Sequence, residues 1–234
     1  MLDFIFLDFH WTQLLQPQWY IENGGLWFVV FVVFAETGLF AGFFLPGDSL
    51  LFVTGIFSNE LVKSGVGVDT QSSFLNLIIL GVIIALAGII GNTVGYWFGR
   101  KIGPVMFNWK DRLLFKKKYL HEAHDFYEKH GGGAIIIARF LPIIRTFAPI
   151  VAGIVEMDRK KFSFYNIVGS VAWVFTMLFA GHYLQRLFES QFNFDLKKHL
   201  EVIVIGIVLV TTAPIFIKLL TGKKKKTGDD IAEK

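Results

Sequence analysis

The chain of 234 residues contains no cysteine, which excludes disulfides, thiolate metal centres and a cysteine nucleophile. Charge is scarce as well: Asp, Glu, Lys and Arg make up 18% of the residues, against 53% hydrophobic ones and 26 phenylalanines. A soluble domain of this length needs a more polar surface than that. The opening Met1-Leu2-Asp3-Phe4-Ile5-Phe6-Leu7-Asp8 lacks a positive n-region, so no cleaved signal peptide is expected. Alternation of apolar and polar residues is also missing, and the apolar residues come in long blocks. Since roughly 20 residues at about 1.5 Å rise cross a ~30 Å hydrocarbon core, such blocks read as membrane spans. The expected class is an integral membrane protein.

What charge there is lies in a few places. Nearly all lysines and arginines fall in stretches 100–129 and 159–161 and in the tail from Lys218 to Lys234, and the net charge is +4. Because these stretches flank apolar blocks, they read as orientation signals and not as a nucleic-acid surface.

Residues 1–25 mix aromatics such as Trp11, Trp19 and Tyr20 with Asp3, Asp8 and Glu22, which suits an interfacial segment. A single membrane domain is expected over 26–220. Within it, block 26–57 is broken at Pro46-Gly47-Asp48, a polar loop occupies 58–73, and a clean span covers 74–98. A cytoplasmic amphipathic segment then takes up 100–130, a second broken block 133–155, and further spans 162–185 and 200–220, ahead of the basic cytoplasmic tail 221–234. Both flanks of block 133–155 are strongly basic, so both are expected in the cytoplasm. A single crossing would separate them, so the block should enter and leave on one side. Block 26–57 has flanks poor in Lys and Arg and should be re-entrant from the opposite face. Its arm 26–45 is long enough to cross outright, which leaves open a deeper or asymmetric first hairpin.

An internal echo accompanies this topology. Phe44-Leu45-Pro46 recurs as Phe140-Leu141-Pro142, each followed by a charge, Asp48 or Arg145. Each broken block precedes a plain span with a similar ending, Gly95-Tyr96-Trp97-Phe98-Gly99-Arg100 or Gly181-His182-Tyr183-Leu184-Gln185-Arg186. The expected fold is therefore an all-α polytopic membrane protein. It is built as an inverted-topology repeat of re-entrant hairpin plus transmembrane helix, with an extra C-terminal transmembrane helix.

Four ionisable residues lie inside the broken blocks: Glu36, Asp48, Arg139 and Arg145. Each costs roughly 2.5–3.5 kcal/mol at the centre of a lipid-facing helix, so the four must pair, line water or bind something. One reading is a structural ion cluster pinning the hairpin tips together. The other is a site, because Pro-broken backbone is tolerated at membrane depth only beside protein or a cavity. Arginine suits phosphate through its planar, always-charged fork, which makes Arg139 and Arg145 candidate phosphate ligands. A carboxyl in low dielectric holds its proton more tightly, so Glu36 is the better proton carrier. Asp48 either shares that role or caps the helix that follows Pro46-Gly47. Asn92 and Tyr96, one turn apart on the next span, read as supporting residues or as simple interhelical hydrogen bonds. Gly81, Gly88, Gly91, Gly95 and Gly99 read as close helix packing. His121, His124 and His130 sit in a sign-alternating stretch without a zincin spacing, so no metal and no cofactor is expected.

Four ordered motifs carry a family resemblance. They are Glu36-Thr-Gly-Leu-Phe40, Leu45-Pro-Gly-Asp-Ser-Leu-Leu-Phe52, Gly91-Asn-x-x-Gly-Tyr-x-x-Gly-Arg100 and Ala138-Arg-Phe-Leu-Pro-x-x-Arg-Thr-x-Ala-Pro-x-x-Ala-Gly153. Together they resemble the DedA family of bacterial inner-membrane proteins, related to the VTT-domain lipid scramblases, over about residues 25–188. The resemblance implies paired re-entrant hairpins, a multi-pass protein of the bacterial cytoplasmic membrane, and translocation of undecaprenyl phosphate or a phospholipid. It places the family's functional acids on Glu36 and Asp48 and its functional arginines on Arg139 and Arg145. Asn92 stands where many members have Asp, which weakens any acidic role there. Pro46, Gly47 and Pro142 belong to the motifs that shape the hairpin tips.

The expected function is a proton-coupled transporter or flippase for a lipid-linked phosphate. The alternative is a proton-driven exporter of a small cation or drug, with the acids as ligands and the arginines as counter-charges. A lipid-phosphate phosphatase is a third reading, but it needs a nucleophile and a positioned base, and His182 and His199 do not accompany the arginines. No enzyme activity is expected. The expected partners are membrane lipid, protons and anionic lipid at the basic tail, with homo-oligomerisation left open and no nucleic acid.

Overall fold

The computed structural model describes residues 17–39, 47–107 and 132–192, together with Leu196 and Gly206. The interfacial segment before Pro17, the bulk of the 100–130 segment with its histidines, the 200–220 span and the basic tail lie outside the described residues. Among the described residues the helical elements are α1 (Pro17–Gly38), α2 (Gly47–Ile56), α3 (Ser58–Gly65), α4 (Ser73–Phe107), α5 (Gly133–Ala138), α6 (Pro142–Ile154) and α7 (Arg159–Phe192). Among the described residues there is no strand.

Two of these helices are long and apolar enough to cross a membrane, over Ser73–Gly103 with 31 residues and Arg159–Phe192 with 34. The segments Gly25–Gly38, Gly47–Ile56 and Ile144–Ile154 are apolar but fall short of a crossing. In α1 the apolar run is separated from its polar start by Gly25, whose φ of 57° kinks the helix; only glycine takes that conformation at no steric cost. The long helices are apolar on every side. On α4, Leu77, Leu80 and Ile84 are buried, while Phe74, Val82, Leu86 and Ile90 face outward. That is the pattern of a helix whose outer solvent is hydrocarbon.

Neighbouring residues fix the direction of each helix. Ser170 lies beside Gly88, Asn166 bonds to Ile89 and Thr93, and Phe175 lies against Gly81, so α4 and α7 are antiparallel. Along α1 and α4 the numbers rise together, from Val33 at Gly88 to Thr37 at Gly91 and Gly95. The same holds for α5 and α7, from Gly132 at Tyr165 to Ile136 at Gly169. Helix α6 also runs parallel to α4, with Pro149 at Gly95 and Ile154 at Gly103. Helix α2 runs parallel to α7, with Asp48 at Trp173 and Gly55 at Leu178. Each short pair is thus an antiparallel hairpin. The first arm of each lies along the long helix that follows it, and the second lies along the other long helix. The two hairpins point in opposite directions, and their tips lie level with residues 88–95 of α4, close to the middle of Ser73–Gly103.

Glycine makes these crossings possible. A Cβ at Gly55 would overlap the carbonyl of Leu178, and one at Gly181 would overlap that of Phe52. On the other side, a Cβ at Gly153 would overlap the carbonyl of Tyr96, and one at Gly99 that of Ile150. Each glycine faces the carbonyl three residues before its partner glycine, so the two crossings are built alike. Gly99 is thus the spatial counterpart of Gly181. Letter matching pairs Gly181 with Gly95 instead, one turn away, because the backbone contact and not the flanking aromatics sets the register.

Around this frame a core forms from Leu26, Val29 and Val33 of α1, Leu50 and Leu51 of α2, Leu77, Leu80 and Ile84 of α4, and Trp173, Val174 and Leu178 of α7. Part of the expected polar loop 58–73 is helical instead. Leu61 and Val62 of α3 join that core, and this burial turns half the loop into an amphipathic helix of about two turns. Asn59, Asn76 and Thr70 then hydrogen-bond around the connection to α4. Helix α7 starts earlier than the apolar pattern, at Arg159, because the Asp158 carboxylate accepts the N–H of Lys161 at 2.9 Å. That bond holds its carboxyl below the usual carboxylate range and caps the helix.

Gly55→Ala is expected to destabilise the fold by about 1–3 kcal/mol or more, read as a lower midpoint of thermal unfolding in detergent, since the obstructing atoms are backbone and cannot rotate away. Gly133→Ala, where a Cβ meets nothing within 4 Å, should cost nothing.

Candidate functional site

The site forms where the two hairpin tips meet. On the second hairpin, Pro142 supplies the break. The residue before a proline is held extended, and Leu141 accordingly has φ −111° and ψ 106° while Pro142 opens α6 in its first turn. Helix α5 therefore ends at Ala138, with Arg139 as its C-cap, and Arg145 falls one turn into α6. Pro149, which has no N–H, leaves the carbonyl of Arg145 without its intrahelical donor. On the first hairpin, α1 ends at Gly38 and α2 opens at Gly47 with Asp48 in its first turn. Pro46 lies outside the described residues.

Arg145 is the hub. Its Nη2 donates to Oε1 of Glu36 and its Nη1 to Oδ1 of Asp48, so one guanidinium fork ties both arms of the opposing hairpin. Gly47 allows this, because a Cβ there would overlap the Glu36 carboxylate. Trp173 of α7 completes the arrangement. Its indole Nε1 donates to Asp48 Oδ1 at 2.9 Å, and its ring lies 4.9 Å from the Arg145 guanidinium carbon. A cation over an indole face in a desolvated place is worth about 2 kcal/mol. The Asp48 side chain thus serves as an ion partner, turned towards Arg145 and Trp173.

Arg139 stands apart from this cluster. It is 5% exposed, and among the described residues no carboxylate pairs with it. Its Nη2 donates to the side-chain oxygen of Asn166 and, at 3.5 Å, to the Asn166 carbonyl. Its Nε has no partner, and neither has Glu36 Oε2 nor Arg145 Nε. Asn166 is itself held by donating to the Ile89 carbonyl at 3.1 Å and to Thr93 Oγ1 at 3.3 Å, and it accepts from Ser170 Oγ at 3.3 Å. A buried guanidinium whose partners are neutral amides keeps its full positive charge and a free donor.

The two other polar residues singled out in the sequence lie beside this cluster, not in it. Asn92 donates to the Gly88 carbonyl within its own helix at 2.7 Å. Tyr96 donates to the Met157 carbonyl, accepts from Arg100 at 2.9 Å and stacks on Phe162 at 4.3 Å. It fastens the turn before α7 to α4. Trp173 and Asn166 went unnoticed in the sequence. The signal was there, in Asn166, Ser170 and Trp173 recurring along one face of an apolar span, where a polar or N–H-bearing group has to find a partner.

Comparison with known proteins finds relatives among membrane proteins. Residues 45–183 match the VTT domain. The chain is 35% identical over 228 residues to Protein DedA of Escherichia coli, covering 96% of this chain and 94% of that one. It is 34% identical over 185 residues to Inner membrane protein YqjA of Escherichia coli, covering 74% of this chain and 78% of that one. It is 34% identical over 211 residues to an uncharacterized membrane protein of Mycobacterium tuberculosis, at 88% and 86% coverage. No solved structure matches the chain.

Arg145→Ala strands two buried carboxylates and is expected to cost about 3–5 kcal/mol in thermal unfolding. Adding Glu36→Gln and Asp48→Asn should recover part of that loss. Trp173→Phe, which keeps the ring but removes the donor, should cost about 1.5–3 kcal/mol.

Proposed function

This chain belongs to the VTT-domain, or DedA, family of membrane proteins, and on that premise we propose that it is a flippase for a lipid-linked phosphate in a bacterial inner membrane. The substrate is undecaprenyl phosphate or a phospholipid, and transport is coupled to protons. In this reading the two antiparallel hairpins are re-entrant and, with α4 and α7, form the two halves of an inverted repeat. The opposed directions of the hairpins and the matched glycine crossings support it. Transporters of that plan bind substrate at the midplane, between broken helices.

The observation that carries the proposal is the state of Arg139. A buried cation without a carboxylate partner among the described residues is costly at membrane depth, and the cost falls when an anion arrives. Phosphate suits it, because the guanidinium can offer its free Nε alongside a terminal nitrogen in a bidentate contact. Arg145 would then act as the sensor. With Glu36 and Asp48 both charged its two terminal nitrogens are saturated; a proton on Glu36 frees part of its fork to share the phosphate. Proton uptake and head-group binding thereby favour one another.

The same saturation counts against the cation-exporter reading, since both acids are already occupied by Arg145. An enzymatic reading has less support still. His182 lies sixteen residues beyond Asn166, the partner of Arg139, on α7, about 24 Å along the helix, and so is remote from Arg139.

In proteoliposomes carrying a fluorescent polyprenyl phosphate, Arg139→Ala is expected to reduce flipping about tenfold or more while the protein stays folded. Glu36→Gln should flip at a rate that no longer responds to a pH gradient. Normal flipping by Arg139→Ala would sink the proposal.

A further inference from the structure

On the outer surface of α4, away from the four-charge cluster, a groove of about 760 Å³ runs from Ile89 to Lys101 and is closed at one end by Arg159 at the start of α7. Its floor is hydrocarbon: Ile90, Val94, Trp97 and Phe98 line it and are each two-fifths or more exposed. Its end is cationic. Arg100, Lys101 and Arg159 line that end, and among the described residues no acid lines the groove. The nearest carboxylate in sequence, Asp158, is engaged by the Lys161 N–H. Arg159 is held over the Trp97 ring at 4.4 Å, and Arg100 gives one nitrogen to Tyr96 and, among the described residues, is in no ion pair with a carboxylate.

An apolar furrow that ends in three cations has the shape of a single-leaflet amphiphile. From Ile89 to Lys101 is 12 residues, about 18 Å of helix, or close to half of a ~30 Å hydrocarbon core. The basic end is thus placed for a head group at the interface and the other end for a chain terminus near the midplane. There Thr93 lines the groove and accepts from Asn166, the residue that holds Arg139.

We propose that this groove is a docking site for an anionic lipid with a terminal phosphate. Arg100, Lys101 and Arg159 take the phosphate, and the chain lies along Ile90, Val94 and Phe98. The occupant is a lipid and not free phosphate, because the apolar floor makes up most of the site. The docking goes beyond the translocation reading and does not depend on it: a lipid held here is outside the buried cluster, one polar step from Arg139.

Trp97 reports the occupant directly. Detergent-purified full-length protein is titrated with phosphatidic acid or phosphatidylcholine bearing brominated chains, and the quenching of Trp97 is taken as the difference from Trp97→Phe. Half-quenching by the phosphatidic acid is expected at a concentration about tenfold or more below that for the zwitterionic lipid. Lys101→Gln with Arg159→Gln should merge the two curves, whereas Arg139→Ala should leave the preference intact, and millimolar inorganic phosphate should not displace the lipid. Equal curves in the unaltered protein would overturn the proposal, as would a preference that survives the loss of both cations. Loss of preference in Arg139→Ala would place the lipid in the buried cluster instead, and displacement by inorganic phosphate would make the groove a simple anion site; either result overturns it. A protein that docks lipid here but does not flip it would refute the translocation reading alone.

Discussion

The architecture depends on keeping four ionisable side chains out of hydrocarbon, and the contact that does most of this is the fork of Arg145 on Glu36 and Asp48. Neither carboxylate could stay charged in lipid alone, and neither could the arginine. Each hairpin tip can therefore stay buried with its charges only if the other is there too. Buried ion pairs seldom make a fold more stable than apolar packing would, but they can make it more specific. Here the pairing selects one depth and one register for two hairpins that approach from opposite directions.

Holding that contact requires backbones to come close, and the glycines supply this. Gly47 leaves room for the Glu36 carboxylate, while Gly55 with Gly181 and Gly99 with Gly153 let the second arms press against the long helices. In a bilayer such close packing replaces the hydrophobic drive that water would provide. The charged cluster sets where the tips meet, and the glycine crossings set how rigidly the arms behind them are held. Arg139 is the exception to this closure. Its partners are Asn166 oxygens, so among the described residues its positive charge is left without a carboxylate to compensate it.

Much of this was legible in the chain. Hydropathy located the two long helices, and the break at Pro142 marked where α5 gives way to α6. The four charges stood out because they interrupt apolar blocks. How they are shared did not: that Arg145 takes both acids while Arg139 takes none depends on side-chain reach between elements 97–109 residues apart, which no local pattern encodes. Trp173 and Asn166 were overlooked because an indole and an amide in a long apolar helix barely change its hydropathy. The short helix α3 was read as loop because its two buried apolar residues, Leu61 and Val62, are too few to set a period.

The crossing of each second arm onto the opposite long helix also governs the order in which the protein can be made. Helix α2 rests on α7, and the acids of the first hairpin wait for an arginine that lies about a hundred residues downstream. At roughly 5–20 residues per second, synthesis leaves Glu36 and Asp48 without their counter-ion for about 5–20 s. During that interval the first hairpin has neither its charge partner nor its packing surface. Its short arms must be sheltered by the insertion machinery, or wait at the interface, until the second half of the chain arrives. The nascent chain thus becomes a membrane domain only when its last described helix is in place.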